Sequence, residues 1–184
     1  MSTTKTLHTA EDLLRVSARD KGRKRYELVR GELIEMAPAG PPHSRIASKL
    51  NSRLRIHVEP QDLGEVYGPD AGFRISSDPD TVRAPDVSYI AKGRLPDPEP
   101  PGFWPVVPDL VAEVVSPGDT AVEVQDKVDE YLRAGVRLVW VLYPEARTIY
   151  AYDSLEAARV LHAEDTLTGG SVLPGFSCPV RDIF

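Results

Sequence analysis

Apolar and polar positions follow two different periods along the chain, and these periods separate helical from extended segments. Between residues 43 and 58, apolar side chains recur every four positions, which predicts an amphipathic helix. Shorter helices are expected over residues 9–19 and 120–134, the second ending at Gly135, a residue type favoured just past helix C-termini. From residue 64 the period changes to two, which is typical of strands.

The extended segments predict a sheet with a long loop in its middle. Residues 26–36 form a predicted β-hairpin turning at Arg30-Gly31, because glycine accepts the positive φ of a tight turn. The apolar segments 110–115 and 138–143 are typical of strands at the centre of a sheet. Further strands are expected at 65–67, 72–75, 86–90, 148–152 and 160–162, loops at 38–42 and 95–108, and turns at Gly169-Gly170 and Pro174-Gly175.

The order of these elements predicts one α/β (α+β) domain over residues 1–184, with a mixed sheet. Of the 184 residues, 41% are hydrophobic and 27% are charged, which are ordinary values for a globular protein. They exclude a disordered chain, a collagen-like repeat and a disulfide-stapled miniprotein.

Cys178 is the lone cysteine, and it is expected to be a small buried hydrophobe rather than a nucleophile. A single cysteine excludes an internal disulfide and a CxxC zinc site. It is typical of a reducing cytosol, so a cytoplasmic location is expected. The longest apolar run, residues 138–143, is far shorter than the ~20 residues that span a bilayer, so no membrane partner is expected.

Charge is unevenly distributed along the chain, whose net charge of −6 excludes a strongly basic, histone-like binder. Residues 1–60 carry a net charge of +5, from 12 Lys and Arg against 7 Asp and Glu, whereas the remainder carries −11. Arg45, Lys49 and Arg53 form a basic stripe on the helix over residues 43–58. This stripe is either a surface for a polyanion or a solvated helix face.

Three side chains are candidates for a catalytic or metal site. Glu113 lies in the apolar strand over residues 110–115, where a carboxylate is costly unless it is paired, protonated or bound to metal. Asp86 opens another predicted strand, a place that is also common for turn residues. Lys127 borders the inward face of the helix that follows Glu113, so it either reaches a site or pairs with Glu123.

Together these three residues predict a divalent-metal centre. Two carboxylates supply the oxygen ligands that Mg²⁺ or Mn²⁺ prefers. A nearby ammonium can orient a water molecule and offset charge on a phosphorane-like transition state. Asp86 and Glu113 lie 27 residues apart with the proline-rich loop between them, so adjacent strands joined by this loop would place both carboxylates together.

The motifs around these residues extend over nearly the whole chain. They are Pro85-Asp86, the segment PDLVAEVVSP at 108–117, Lys127, Tyr131, Gly135-Val136, the segment YELVRGE at 26–32, His43, WVL at 140–142 and LPGF at 173–176. With these motifs the chain resembles the "putative restriction endonuclease" family expanded in cyanobacteria, formerly a domain of unknown function. That family belongs to the PD-(D/E)XK nuclease superfamily.

The resemblance implies a restriction-endonuclease-like mixed β-sheet core flanked by helices, with an N-terminal β-hairpin. It implies Asp86 and Glu113 as ligands of Mg²⁺ (or Mn²⁺), with the Val114 carbonyl as a third ligand. The superfamily usually supplies its lysine two residues after the glutamate, where this chain has Val115. Lys127 on the following helix matches the position from which this family supplies it.

Two further residues match family positions. Glu32 would be an additional acid in the site, and His43 would either bind the substrate or cap its helix. The basic stripe of Arg45, Lys49 and Arg53 would contact DNA phosphates, which gives affinity without reading sequence.

The leading hypothesis is a metal-dependent endonuclease that hydrolyses DNA phosphodiester bonds, with Lys127 orienting the attacking water or helping to deprotonate it. A second is a nucleic-acid-binding or assembly module on the same fold that cuts nothing. A third is hydrolysis of another phosphorylated substrate at the same site. Convergence of Asp86, Glu113 and Lys127 would favour the first over the second.

A homodimer is expected by analogy alone, because nucleases that cut both strands are often dimers.

Overall fold

The computed structural model describes residues 6–21 and 23–184. Its helices are α1 (Ala10–Arg19), α2 (Pro41–Val58) and α3 (Ala121–Ala134). Its strands are β1 (Arg25–Val29), β2 (Glu32–Met36), β3 (Gly64–Tyr67), β4 (Phe73–Ser76), β5 (Thr81–Arg83), β6 (Val87–Ala91), β7 (Leu110–Val114), β8 (Leu138–Tyr143), β9 (Thr148–Tyr152), β10 (Ala158–Leu161), β11 (Thr166–Gly169) and β12 (Leu173–Pro179).

A six-stranded mixed sheet with the order β10-β9-β8-β7-β6-β3 forms the centre of the fold. β7 and β8 pair in parallel because the crossover helix α3 returns the chain between them, whereas the other neighbours pair antiparallel. Both central strands are buried along almost their whole length, as their unbroken apolar sequences predict. The predicted fold class is therefore confirmed, while the extent of a single domain over residues 1–184 stays a prediction.

Helices cover the two faces of this sheet. On one face, α2 contributes Leu50, Leu54 and Val58, which are fully buried. On the other face, α3 contributes Val128 and Tyr131 to a second apolar cluster. Burying each of these aliphatic side chains stabilises the fold by roughly 1.5–3 kcal/mol, so the four-residue repeat in α2 holds that helix against the sheet.

The predicted N-terminal hairpin is present as β1 and β2, in the smaller sheet β2-β1-β5-β4. Its two-residue turn has positive φ at both Arg30 (49°) and Gly31 (78°), as a type I′ turn requires. β5 was not predicted. It has only three residues, and it pairs with both β1 and β4.

The helix ends follow the sequence signals, with one correction. Thr9 and Thr120 cap α1 and α3 through capping boxes, and Gly135 ends α3 in the left-handed conformation with φ 101°. The loop predicted over residues 38–42 is shorter, because α2 begins at Pro41. Proline is tolerated in the first helical turn, where its missing N–H costs nothing.

The C-terminal segment contains a strand pair that was not predicted. The turn expected at Gly169-Gly170 is present between its strands, with Gly170 at φ 54° and the Val172 N–H donating to the Gly169 carbonyl. β11 and β12 are antiparallel, and Pro174-Gly175 lies inside β12, where the register shifts by a bulge, rather than in a turn. Cys178 in β12 is buried, as predicted. Among the helices of the described residues, none is long and apolar enough to cross a membrane.

Candidate active site

The pairing of β6 with β7 brings two carboxylates together. Val87 lies opposite Ala112 in this antiparallel pair, so Asp86, one residue earlier, faces Glu113 when the register is continued. Directly opposed residues project to the same side of a sheet with Cβ atoms about 4.5–5.5 Å apart. Both side chains line one cleft of about 420 Å³. The predicted convergence of these two acids is therefore present.

Asp86 is held from two directions. Its Oδ2 accepts a hydrogen bond from the Val114 main-chain N–H at 2.8 Å and lies 3.0 Å from His43 Nε2. The hydrogen bond from His43 to Asp86 raises the pKa of the imidazole, although burial acts in the opposite direction. His43 lies in the first turn of α2, and it is therefore part of the site as a hydrogen-bond partner of Asp86. Asp86 Oδ1 accepts no hydrogen bond from the described part of the chain.

Glu113 is held by two residues of α3. Lys127 Nζ lies 3.1 Å from Glu113 Oε2, and the Tyr131 hydroxyl donates a 2.6 Å hydrogen bond to Oε1. Burial raises the pKa of Glu113, while the charge of Lys127 acts to lower it. In turn, Glu113 raises the pKa of Lys127, so the ammonium keeps its proton. Lys127 thus pairs with Glu113 rather than with Glu123, whose carboxylate caps α3.

The position of the lysine follows from helix geometry. Lys127 and Tyr131 are four residues apart, so they lie on one face of α3. This face contacts Glu113 of β7, and α3 also packs against β8 and β4. The Lys127 ammonium therefore contacts Glu113 from α3, while Asp86 lies opposite Glu113 at the start of the neighbouring strand.

A third carboxylate, Glu27, borders the site, although it was not predicted as a site residue. Glu27 on β1 is 3% exposed and accepts hydrogen bonds from Arg83 at 2.7 Å and from the Ala84 main-chain N–H at 3.0 Å. Arg83 also binds Glu130 of α3 at 2.6 Å. Glu27 lines the same cleft as Glu113. Its partner Arg83 lies 56 residues away in an unpredicted strand, so no sequence spacing revealed the pair.

Glu32, the acid that was predicted to lie in the site, is on β2 of the hairpin, whereas Glu27 is on β1. It is exposed on β2 and lines a neighbouring groove of about 470 Å³, which shares Lys127 with the cleft. Glu32 is not among the residues that line the cleft with Asp86 and Glu113. Its catalytic role stays a prediction.

The basic stripe also lies outside the cleft. Lys49 Nζ donates a 2.7 Å hydrogen bond to the carbonyl of Phe184, and Arg53 lies 3.6 Å from Asp182. The cleft and its neighbouring groove are instead lined by another face of α2, which begins with His43 and Ser44. Arg45, Lys49 and Arg53 line neither the cleft nor this groove, and their predicted contact with DNA phosphates stays a prediction.

Comparisons with known proteins identify the family and the fold of the chain. The Uma2 family, described as "Putative restriction endonuclease", matches residues 10–181. A crystal structure described as "a putative nuclease belonging to DUF820 from Anabaena variabilis ATCC 29413" has the same fold, with a TM-score of 0.77, 21% sequence identity, and coverage of 86% of this chain and 89% of that chain. No curated protein matches the chain. Because the family match spans most of the sequence, the chain belongs to the Uma2 family.

Proposed function

We propose that the chain is a metal-dependent endonuclease that hydrolyses DNA phosphodiester bonds. The observation that carries this proposal is the pair of opposed carboxylates, Asp86 and Glu113, with a lysine ammonium 3.1 Å from Glu113. Membership of a family described as "Putative restriction endonuclease" and the nuclease-type fold support the same reaction class.

The donor set fits a hard divalent cation. No group of three or more His, Cys, Asp or Glu side chains in the described ranges 6–21 and 23–184 is arranged to hold a metal ion. Mg²⁺ does not need a cluster of three such side chains, since it is commonly bound by one or two carboxylates and keeps several waters. Asp86 Oδ1 accepts no hydrogen bond from the described residues, so this oxygen is available to bind the cation. Asp86 and Glu113, with the Val114 carbonyl as a third ligand, would hold Mg²⁺ or Mn²⁺.

Each side chain then has a separate task. When bound, the cation supplies Lewis-acid polarisation of a phosphoryl oxygen and lowers the pKa of water. Lys127 lies beside Glu113 as an ammonium, so it orients the attacking water and offsets the negative charge that develops on the phosphoryl oxygens. The Tyr131 hydroxyl fixes the Glu113 carboxylate, and His43 fixes Asp86. Both ligands are thereby held in place before the substrate arrives.

The test combines cleavage with metal binding. Supercoiled plasmid is incubated with the protein and Mg²⁺ or Mn²⁺, and Mn²⁺ binding is measured by isothermal titration calorimetry. We expect Asp86→Asn and Glu113→Gln to lose both properties, with cleavage falling by on the order of 10²-fold or more. Lys127→Met should lose cleavage but still bind Mn²⁺. Glu35→Gln, which alters an exposed carboxylate on the hairpin, is the matched control.

Other outcomes would contradict the proposal. Cleavage that survives in Asp86→Asn and Glu113→Gln would place the active site elsewhere. A folded, Mn²⁺-binding protein that cuts neither DNA nor other phosphodiesters would indicate the nucleic-acid-binding or assembly module instead.

A further inference from the structure

Two grooves adjoin the candidate cleft, and they differ in charge. The first, here called the acidic groove, is the one of about 470 Å³ that contains Glu32. Six carboxylates line it: Glu27, Glu32, Asp119, Glu123, Asp126 and Glu130. They outnumber its three cations, Arg30, Arg83 and Lys127, so this groove presents a negative surface beside the cleft.

The second groove, here called the α2 groove, has the opposite character. It measures about 510 Å³ and shares Arg25, His43 and Asp86 with the cleft. Its other polar lining residues are Ser44, Ser48, Asn51, Ser52 and Arg55, all on α2. Asp86 is the one carboxylate among its described lining residues. The groove therefore presents cations and uncharged hydrogen-bond donors to a ligand that extends into it from the cleft at Asp86.

The serines give this groove a regular row of hydroxyls. Ser44, Ser48 and Ser52 are exposed and follow one another at intervals of four residues, so they lie on one side of α2 about 6 Å apart along its axis. Their hydroxyls donate to no atom of the described chain. Each can therefore donate to an oxygen of a bound ligand.

Two polar residues that line the groove are held by main-chain carbonyls. The Asn51 side chain donates a 3.2 Å hydrogen bond to the carbonyl of Tyr67, and the Arg25 guanidinium donates to the carbonyl of Pro69. Arg25 also lies 3.8 Å from Asp70, and Arg55 lies 2.5 Å from Glu59, and neither carboxylate lines the groove. Both guanidinium groups remain about half exposed, so they are accessible to an anion.

We propose that the α2 groove binds the phosphodiester backbone of the nucleic acid on one side of the bond that is cut. Seryl hydroxyls, an amide and arginines are the groups that contact phosphate oxygens without reading bases. The acidic groove repels a polyanion, so the strand leaves the cleft past His43 and follows α2 towards Arg55. This inference rests on the proposed nuclease function and names the path of its substrate.

The test measures binding without cleavage. Fluorescence anisotropy with labelled single-stranded and duplex oligonucleotides is recorded in EDTA at several salt concentrations. We expect Arg55→Gln to raise the Kd on the order of fivefold and to reduce the slope of log affinity against log salt by about 0.7–0.9. Arg133→Gln is the matched control, because Arg133 is also an exposed helix arginine paired with a carboxylate four residues away.

A second pair of variants adds negative charge instead of removing positive charge. Ser48→Asp places a carboxylate in the α2 groove, and Ile56→Asp places one at a 71% exposed position of the same helix that is not among the residues lining the groove. We expect Ser48→Asp to weaken binding on the order of tenfold, with Ile56→Asp within about twofold of the unaltered protein.

Each remaining outcome would overturn the proposed path. Equal effects of Arg55→Gln and Arg133→Gln would show that only total charge matters. A larger effect of Ile56→Asp than of Ser48→Asp would move the strand to the side of α2 that carries Arg45 and Arg53. Absence of oligonucleotide binding by the unaltered protein would also overturn it. Metal-dependent plasmid cleavage measured in parallel would still stand in the first two cases, so the two proposals fail separately.

Discussion

Asp109 illustrates, at the scale of a single residue, how a buried charge is stabilised outside the candidate active site. Its side chain is fully buried, and it accepts hydrogen bonds from the Ala91 main-chain N–H at 2.8 Å and from Arg94 and Arg137, each at 2.7 Å. Burial alone would raise its pKa, but these three donors together hold the pKa of Asp109 below its usual range. The residue thus anchors the start of β7 and the end of the proline-rich loop.

This anchoring predicts a pH-dependent loss of stability in Asp109→Asn. The folded pKa is lowered, so the carboxylate stabilises the fold fully above the unfolded pKa near 3.9 and loses this effect as pH falls through the folded pKa. At pH 7 we expect Asp109→Asn to lower the free energy of unfolding by about 2–4 kcal/mol in urea denaturation. The difference from the unaltered protein should shrink below pH ~4.

The control for this measurement is Asp129→Asn, which removes a partly exposed ion pair on α3 and should cost less than about 1 kcal/mol. A deficit in Asp109→Asn that stayed equally large at low pH would show that packing, rather than the charge, holds this region.

At the scale of elements, one arginine joins three of them. Arg83 of β5 binds Glu27 of β1 and Glu130 of α3, and all three side chains are at most 13% exposed. The network connects the hairpin sheet with the crossover helix that carries Lys127. It therefore sets where the smaller sheet lies relative to the candidate cleft.

Removing the arginine should leave the buried Glu27 without its ion-pair partner and Glu130 with Arg30 alone, at 3.9 Å. We expect Arg83→Met to lower the free energy of unfolding by about 3–5 kcal/mol, as breaking a buried ion network usually does. The double variant Glu27→Gln with Arg83→Met should recover part of that loss, because one of the uncompensated charges is also removed. Chemical denaturation of the two single variants and the double variant measures the coupling. Strictly additive losses would contradict a coupled network.

The network also shows why β5 could not be predicted from sequence, whereas the central elements could. Periodicity predicted α2, β7 and β8, because their apolar side chains repeat in a pattern that local geometry imposes. β5 carries no such pattern. It has three residues, one of them a buried arginine whose partner comes from a distant strand, so local sequence gave no reason to place it inside.

At the scale of the whole molecule, the proposed metal binding would couple the site to global stability. A ligand that binds only the folded state stabilises it by about 2.7 kcal/mol at a hundred times its Kd. For a chain of this size we expect a saturating Mn²⁺ concentration to raise Tm by roughly 5–10 °C in differential scanning calorimetry. Asp86→Asn and Glu113→Gln should show no such rise. An equal rise in Glu113→Gln would assign the cation to another site.

The site as a whole was only partly predictable. Asp86, Glu113 and Lys127 could be selected because each departs from the expectation for its element, such as a carboxylate in an apolar strand. Glu27 and Tyr131 could not be assigned their contacts, since these depend on how α3 and β1 pack against the sheet. The path along α2 depends on which side of that helix faces the cleft, and this orientation is set by tertiary packing.

The origin of the lysine on α3 has a consequence for how related chains can be recognised. A linear search pattern that requires lysine two residues after the glutamate rejects this sequence, because Val115 occupies that position. A three-dimensional template built from two opposed carboxylates and one ammonium accepts it, with Lys127 Nζ 3.1 Å from Glu113. Where a helix supplies the cation, the loop between strand and helix can change length while the template stays constant. Spatial templates will therefore detect relatives whose linear spacing has diverged.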